Sequence, residues 1–112
     1  MNQLKTLPDT AALEAAIAES RERPVLIFKH SRTCGISAEA FDELHEHLAE
    51  VSPGASYNLI TVQSHRAVSD EAAARLGVRH ETPQAILLRD GVPVWKASHF
   101  RITAKELTRI LS

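Results

Sequence analysis

A chain of 112 residues with a formal net charge of −1 has room for one domain and one core, and no basic excess for nucleic acid or an anionic membrane. No stretch approaches the roughly 20 apolar residues of a membrane span, and Met1 to Thr10 lacks the basic-then-apolar pattern of a secretory leader. The single cysteine, Cys34, forbids an intramolecular disulfide, and the expectation is a cytoplasmic protein.

The elements follow in order. Leu13, Ala16 and Ile17 fall at helical spacing after Pro8-Asp9-Thr10, and this helix should stop before Pro24. Val25 to Phe28 is a short unbroken apolar run, the mark of a buried central strand. Ile36, Ala40, Phe41, Leu44 and Leu48 trace one face of a long second helix, which Ser52-Pro53-Gly54 should end. Tyr57 to Val62 reads as a strand of alternating character. Val68, Ala72 and Leu76 share a helical face, with Gly77 placed as a C-terminal glycine. Ala85 to Leu88 and Val92 to Ala97 read as two strands joined through Arg89-Asp90-Gly91, since Asp-Gly is a hairpin signal. Pro93 puts the last strand at an edge, because proline cannot donate to a ladder.

The final helix opens on Thr103-Ala104-Lys105-Glu106. That is a capping box, in which Thr103 bonds an amide three residues on and Glu106 reaches back. Ile102 and Leu107 stand where a hydrophobic staple would place them. The order is α, then β-α-β-α-β-β-α. Two crossovers, a hairpin and a closing helix give an α/β domain for which the thioredoxin-like fold is the leading choice: a four-stranded mixed sheet with flanking helices and an extra N-terminal helix.

Phe28 to Ser37 carries the chemistry. Cys34 falls between a buried strand and the first turn of an amphipathic helix, where unpaired amides and the positive end of the helix favour a thiolate. Lys29, His30 and Arg32 add cationic or potentially cationic neighbours. A free thiol is about 3% ionised at pH 7. Lowering any thiol's pKa by about two units gains roughly 25-fold in thiolate and gives back roughly tenfold in nucleophilicity. The larger benefit is a better leaving group, which suits a protein that hands a small thiol on. Ser37 stands where dithiol oxidoreductases carry the second cysteine of C-x-x-C. A mixed disulfide on Cys34 therefore needs an outside thiol to resolve it. In this fold the proline opening the third strand, here Pro83 after Thr82, is expected cis beside the cysteine, although X-Pro bonds are about 5–6% cis across folded proteins.

Taken together, Lys29-His30-Ser31, Thr33-Cys34, Ile36-Ser37, His80-Glu81-Thr82-Pro83-Gln84, Trp95-Lys96-Ala97-Ser98-His99 and Ile102-Thr103 resemble the YtxJ-like monothiol bacilliredoxins. The resemblance runs from about Val25 to the C-terminus. It implies removal of bacillithiol, a thiol built from cysteine, glucosamine and malate, from protein mixed disulfides through Cys34. Bacillithiol would be a co-substrate, with no cofactor and no metal. The implied partners are bacillithiolated client proteins and a low-molecular-weight thiol, with no nucleic acid and no membrane, the chain being a monomer or weak dimer. Thr33, Gly35, Ile36, Ser37, Lys29 and His30 would support the thiolate. Thr82 and Pro83 would hold the extended chain. Ser98, His99 and the amides after Thr103, helped by Lys29 and Arg32, are candidates for the malate carboxylates, which need cations or helix-start amides. Gly35 departs from the proline common in the family, a position that tunes how the helix begins.

Two other readings stand beside this one. Cys34-Gly35-Ile36-Ser37 also resembles the C-G-F-S of monothiol glutaredoxins, which handle glutathione or an iron–sulfur cluster. Their lysine lies further upstream than Lys29, and their double glycine before the last helix is missing here. A non-catalytic binding module with a passive thiol is the second. The six histidines, His30, His45, His47, His65, His80 and His99, show no zinc-motif spacing; His80 reads equally as a loop hydrogen-bonder. Trp95 reads as a cover for the sheet.

Overall fold

The apolar run Val25 to Phe28 is buried on both faces, and the rest of the molecule is arranged around it. The computed structural model describes residues 4–50 and 54–111. Its first half comprises β1 (Leu4–Thr6), α1 (Thr10–Glu19), β2 (Val25–His30), α2 (Gly35–Glu50) and β3 (Ser56–Thr61). Then follow α3 (Arg66–Leu76), β4 (Gln84–Arg89), β5 (Val92–Ser98), a 3-10 turn (His99–Arg101) and α4 (Ala104–Leu111). Ser52 and Pro53, expected to end α2, lie outside the described residues.

The sheet order is β1-β3-β2-β4-β5. β1 and β2 run parallel to β3, while β4 is antiparallel to β2 and to β5. This is the expected mixed sheet with flanking helices, with five strands in place of four. The added strand is three residues long and pairs Leu4 with Tyr57 and Thr6 with Leu59 through the backbone. Lys5 and Thr6 are exposed, so no alternation of buried side chains announces it.

Alternation along β2 divides the core. Val25 and Ile27 join Leu13, Ile17, Ile60, Val68 and Leu88 on the α1/α3 face. Leu26 and Phe28 join Ala40, Leu44, Tyr57, Leu87 and Leu107 on the α2/α4 face. β3 alternates in chemistry rather than exposure, since helices cover both of its faces. Ser56 and Asn58 are buried, and Asn58 Nδ2 donates to Leu26 O at 3.4 Å and Ser56 Oγ at 3.2 Å.

The local signals resolve as sequence chemistry requires. Asp9 caps α1 by accepting Ala12 N–H at 2.8 Å. Gly77 ends α3 at φ 64°, where a side chain would be strained. Asp90 and Gly91, both at positive φ (55° and 80°), form a two-residue turn between β4 and β5. Its tip is tied to the end of α1: Asp90 N–H donates to Ser20 O and Gly91 N–H to Ser20 Oγ, both at 2.8 Å. β5 is an edge strand, with Pro93 opposite Leu88 at an irregularity in the ladder.

Half of the capping box forms. Thr103 Oγ1 accepts Glu106 N–H at 3.1 Å. The Glu106 carboxylate instead accepts Trp95 Nε1–H at 3.2 Å and pairs with Arg109. Glu43 of α2 supplies a different cap, its Oε1 accepting Ala104 N–H at 2.7 Å. Ile102 and Leu107 are buried in one cluster, and half-buried Trp95 packs over it, covering the sheet. Among the described residues, no helix is long and apolar enough to cross a membrane.

Candidate active site

Parallel strands bring the loops that leave them to the same end of a sheet. Here β2 leads into Ser31–Cys34 and β3 into Val62–His65, and the two loops are bonded together. Cys34 is partly buried at the start of α2, and its carbonyl accepts Ala38 N–H at 3.0 Å, the first bond of the helix. The N–H groups of Gly35, Ile36 and Ser37 have no acceptor among the described residues. They are the orphan donors of a helix start, which stabilise negative charge. Space around Gly35 is open: a Cβ there would meet nothing within 4 Å, and its φ is not positive.

Ser37 is completely buried. Its Oγ accepts Ser31 N–H at 2.9 Å and lies 2.8 Å from His30 Nδ1. Burial, and then the Arg32 guanidinium, lower the His30 pKa below its ordinary value and favour the neutral ring. With the ring neutral, one hydrogen bond joins Ser37 Oγ and His30 Nδ1, its direction following the imidazole tautomer. His30 also stacks on Phe41, with centroids 4.5 Å apart. The serine three residues after the thiol thus fastens the active loop to β2 and the first turn of α2.

Gln63 closes the loop from the other side. Its Oε1 accepts Arg32 N–H at 3.2 Å, while Nε2 donates to Ser31 Oγ at 2.7 Å and Thr33 Oγ1 at 3.2 Å. Sequence reasoning did not single out Gln63. The signal was available, because a residue just beyond a strand parallel to β2 must lie beside the loop that follows β2.

The Thr82–Pro83 bond is cis. Lys29 pairs with Gln84, so Pro83 lies at the His30 end of β2. Ser98 pairs with Gln84, and His99 N–H donates to Pro83 O at 3.1 Å. His99, at φ 55°, has its Nδ1 3.6 Å from a Glu81 carboxylate oxygen. A small groove of about 100 Å³ joins the first turns of α2 to this segment, lined by Ile36, Glu39, Glu43, His99 and Phe100 among others. Phe100 is 67% exposed at its rim.

Thr33, Gly35, Ile36 and Ser37 flank Cys34 at the loop and helix start, His30 lies beside Ser37, and Thr82, Pro83, Ser98 and His99 lie at the same end of the sheet, with Arg32 exposed on the loop. Two expectations are corrected. Lys29 follows Val25 and Ile27 in strand alternation and faces α3, away from α2, where its Nζ donates to Ser69 O at 3.0 Å and lies 3.1 Å from His80 Nδ1. Two of the three amides opening α4 are also engaged, Ala104 N–H by Glu43 and Glu106 N–H by Thr103, and the Glu39 and Glu43 carboxylates line the adjoining groove. That end of the groove disfavours the malate carboxylates. Among the described residues, no three His, Cys, Asp or Glu side chains converge in a way that could hold a metal ion.

A single thiol at a helix start, with a cis-proline loop at the same end of a mixed sheet, is the arrangement of a thioredoxin-fold oxidoreductase. A protein described as a candidate oxidoreductase with a thioredoxin fold is 33% identical, with a TM-score of 0.85 over 96% of this chain and 92% of its own. Thioredoxin from Fasciola hepatica shares the fold at 21% identity and a TM-score of 0.73, covering 96% of this chain and 95% of that one. A thioredoxin mutant from Halobacterium salinarum NRC-1 does so at 20% and 0.74, over 97% and 88%. More narrowly, residues 5–107 match the model of the family described as monothiol bacilliredoxin BrxC, and the chain belongs to that family.

Proposed function

We propose that this protein removes bacillithiol from protein mixed disulfides by thiol–disulfide exchange at Cys34. The observation that carries the reading is the pairing of one thiol at an open helix start with a buried, fully bonded Ser37 where a resolving cysteine would stand. The Cys34 thiolate attacks the bacillithiol sulfur. The S–S bond to the client breaks, the client leaves as a thiolate, and bacillithiol remains on Cys34. A second bacillithiol thiolate then attacks that sulfur, releasing Cys34 and bacillithiol disulfide. Electrons balance: one mixed disulfide is reduced and one small-thiol disulfide is formed. The amides of Gly35, Ile36 and Ser37 support Cys34 as thiolate and leaving group. Thr82 and Pro83 hold the client chain, with Ser98 and His99 beside them. With the start of α4 already capped, Arg32 is the cation left for malate. A reducing cytoplasm is the compartment that fits an unpaired reactive thiol.

The test is mass spectrometry of the intact protein after exposure to a bacillithiolated client, with a glutathionylated client alongside. The expected result is the bacillithiol mass on Cys34 and none on Cys34→Ser. Transfer of glutathione alone would move the assignment to glutathione chemistry. No adduct from either would leave a binding module.

A further inference from the structure

The loop carrying Thr82-Pro83 is gripped from beneath by a polar cluster on the α3 face, the side of the sheet away from the thiol. Lys29 is completely buried there. Gln84, its cross-strand neighbour on β4, is also buried, and its Nε2 donates to Arg79 O at 2.9 Å, holding the start of the same loop. His80 stands between Lys29 and the site. Its Nδ1 is 3.1 Å from Lys29 Nζ and 3.3 Å from Ser69 Oγ, and its Nε2 is 3.3 Å from Thr82 Oγ1.

A lysine ammonium can only donate, so His80 Nδ1 must accept, and the ring hydrogen of the neutral imidazole lies on Nε2. Nε2–H then donates to Thr82 Oγ1, which leaves the Thr82 hydroxyl hydrogen for an incoming chain. We propose that Lys29 and His80 are positioning residues, Lys29 fixing the His80 tautomer and His80 thereby orienting Thr82 for an extended mixed-disulfide client. The inference rests on the exchange reading above and adds to it a second-face support for the client-binding loop.

The charges around the pair agree. Partial desolvation of the ring, much of which stays open to solvent, and then the charges of Lys29 and Arg66 lower the His80 pKa, against the opposing effects of Asp70 and Glu81, which favours a neutral ring. Burial pushes Lys29 down to about 8, with Asp70 opposing it. Asp70 and Arg66 come from α3 and Glu81 from the loop, while Gln84 and Ile60 flank Lys29 on the neighbouring strands. Above a pH of about 8 the lysine amine gains a lone pair, and the His80 tautomer is no longer dictated.

The experiment compares Cys34 exchange with two probes on the full chain: an extended peptide carrying a bacillithiol mixed disulfide, and the small disulfide dithiodipyridine. The readout is the ratio of the two rate constants, which cancels the ionisation of Cys34. His80→Ala is expected to lower the ratio roughly two- to tenfold, the net worth of one hydrogen bond, and to lower it no further in a Thr82→Val background. His80→Gln, which keeps an N–H near the Nε2 position, is expected to restore most of the loss. In the unsubstituted protein the ratio falls as pH rises through about 8, and in Lys29→Met that step is absent. Additive losses from His80→Ala and Thr82→Val, or a pH step that survives Lys29→Met, would overturn the relay alone. Reaction with neither probe would overturn the exchange reading, and this inference with it. His80 is exposed, so its variants carry the test even where Lys29→Met does not fold.

Discussion

The two helices on the α2/α4 face begin in opposite ways. α4 starts largely closed: Thr103 caps it locally and Glu43 caps it from α2, so two of its first three amides are engaged. α2 starts open, with Cys34 at its mouth and the amides of Gly35, Ile36 and Ser37 without acceptors among the described residues. A helix start whose donors are satisfied is a structural joint. One whose donors are left open, with a polarisable sulfur in front, is a place for charge to develop. The contrast is sharpened because Glu43, a residue of the open helix, caps the closed one.

That contrast can be broken at several points. Ser37→Ala strips the partner from a backbone N–H and from His30 Nδ1 at a buried position, and is expected to cost about 1–3 kcal/mol in denaturant unfolding and to slow exchange. Acid should loosen the joint between the helices. His47 of α2 has Nδ1 2.9 Å from Thr108 Oγ1 on α4 and Nε2 2.8 Å from Tyr57 OH, and burial lowers its pKa from 6.5. The unfolded chain therefore binds a proton there before the native state does. The stability associated with His47 is complete above pH 6.5 and is lost as pH falls below it, so chemical denaturation midpoints should drop over that window and drop less in His47→Gln.

Thr103→Ala removes a cap from the closed start and should cost about 1 kcal/mol. Alkylation of Cys34 by iodoacetamide should continue at its former rate; a slowed thiol would show that the two starts are not separate devices. Gly35→Pro tests the open start most gently. Among the described residues the site has no close neighbour and its N–H no acceptor, so thermal unfolding should show a gain of about 0.4–1 kcal/mol from a stiffer unfolded chain.

What the sequence disclosed follows the range of the interaction. The fold was legible where a signal is local: the Asp90-Gly91 turn, Gly77 at a helix end, Thr103 three residues before Glu106, and the apolar run of β2. β1 was not legible, because a three-residue strand held by backbone pairing leaves no side-chain pattern. At the site, Cys34 and Ser37 stood out by spacing, and Thr82-Pro83 by its place before a strand. Lys29 misled because nearness in sequence was read as nearness in space, although strand alternation turns it to the other face. Glu106 was drawn from its capping partner by Trp95 and Arg109, and Gln63 reached the active loop through the parallel pairing of β2 and β3. These are contacts between distant segments, and a motif read along the chain does not contain them.

The Ser20 tether at the tip of the β4–β5 turn bears on how this protein can be engineered. The hairpin that it fastens begins beside Pro83 and ends at Ser98, so both of its open ends border the reaction centre. Asp90-Gly91 looks on the surface like a convenient place to splice in a tag or a dye-bearing linker. Such an insertion would pull out the anchor at one end of two strands whose other ends frame the thiol, and a label meant as a bystander would report on, and alter, the very loop it was placed far away to spare.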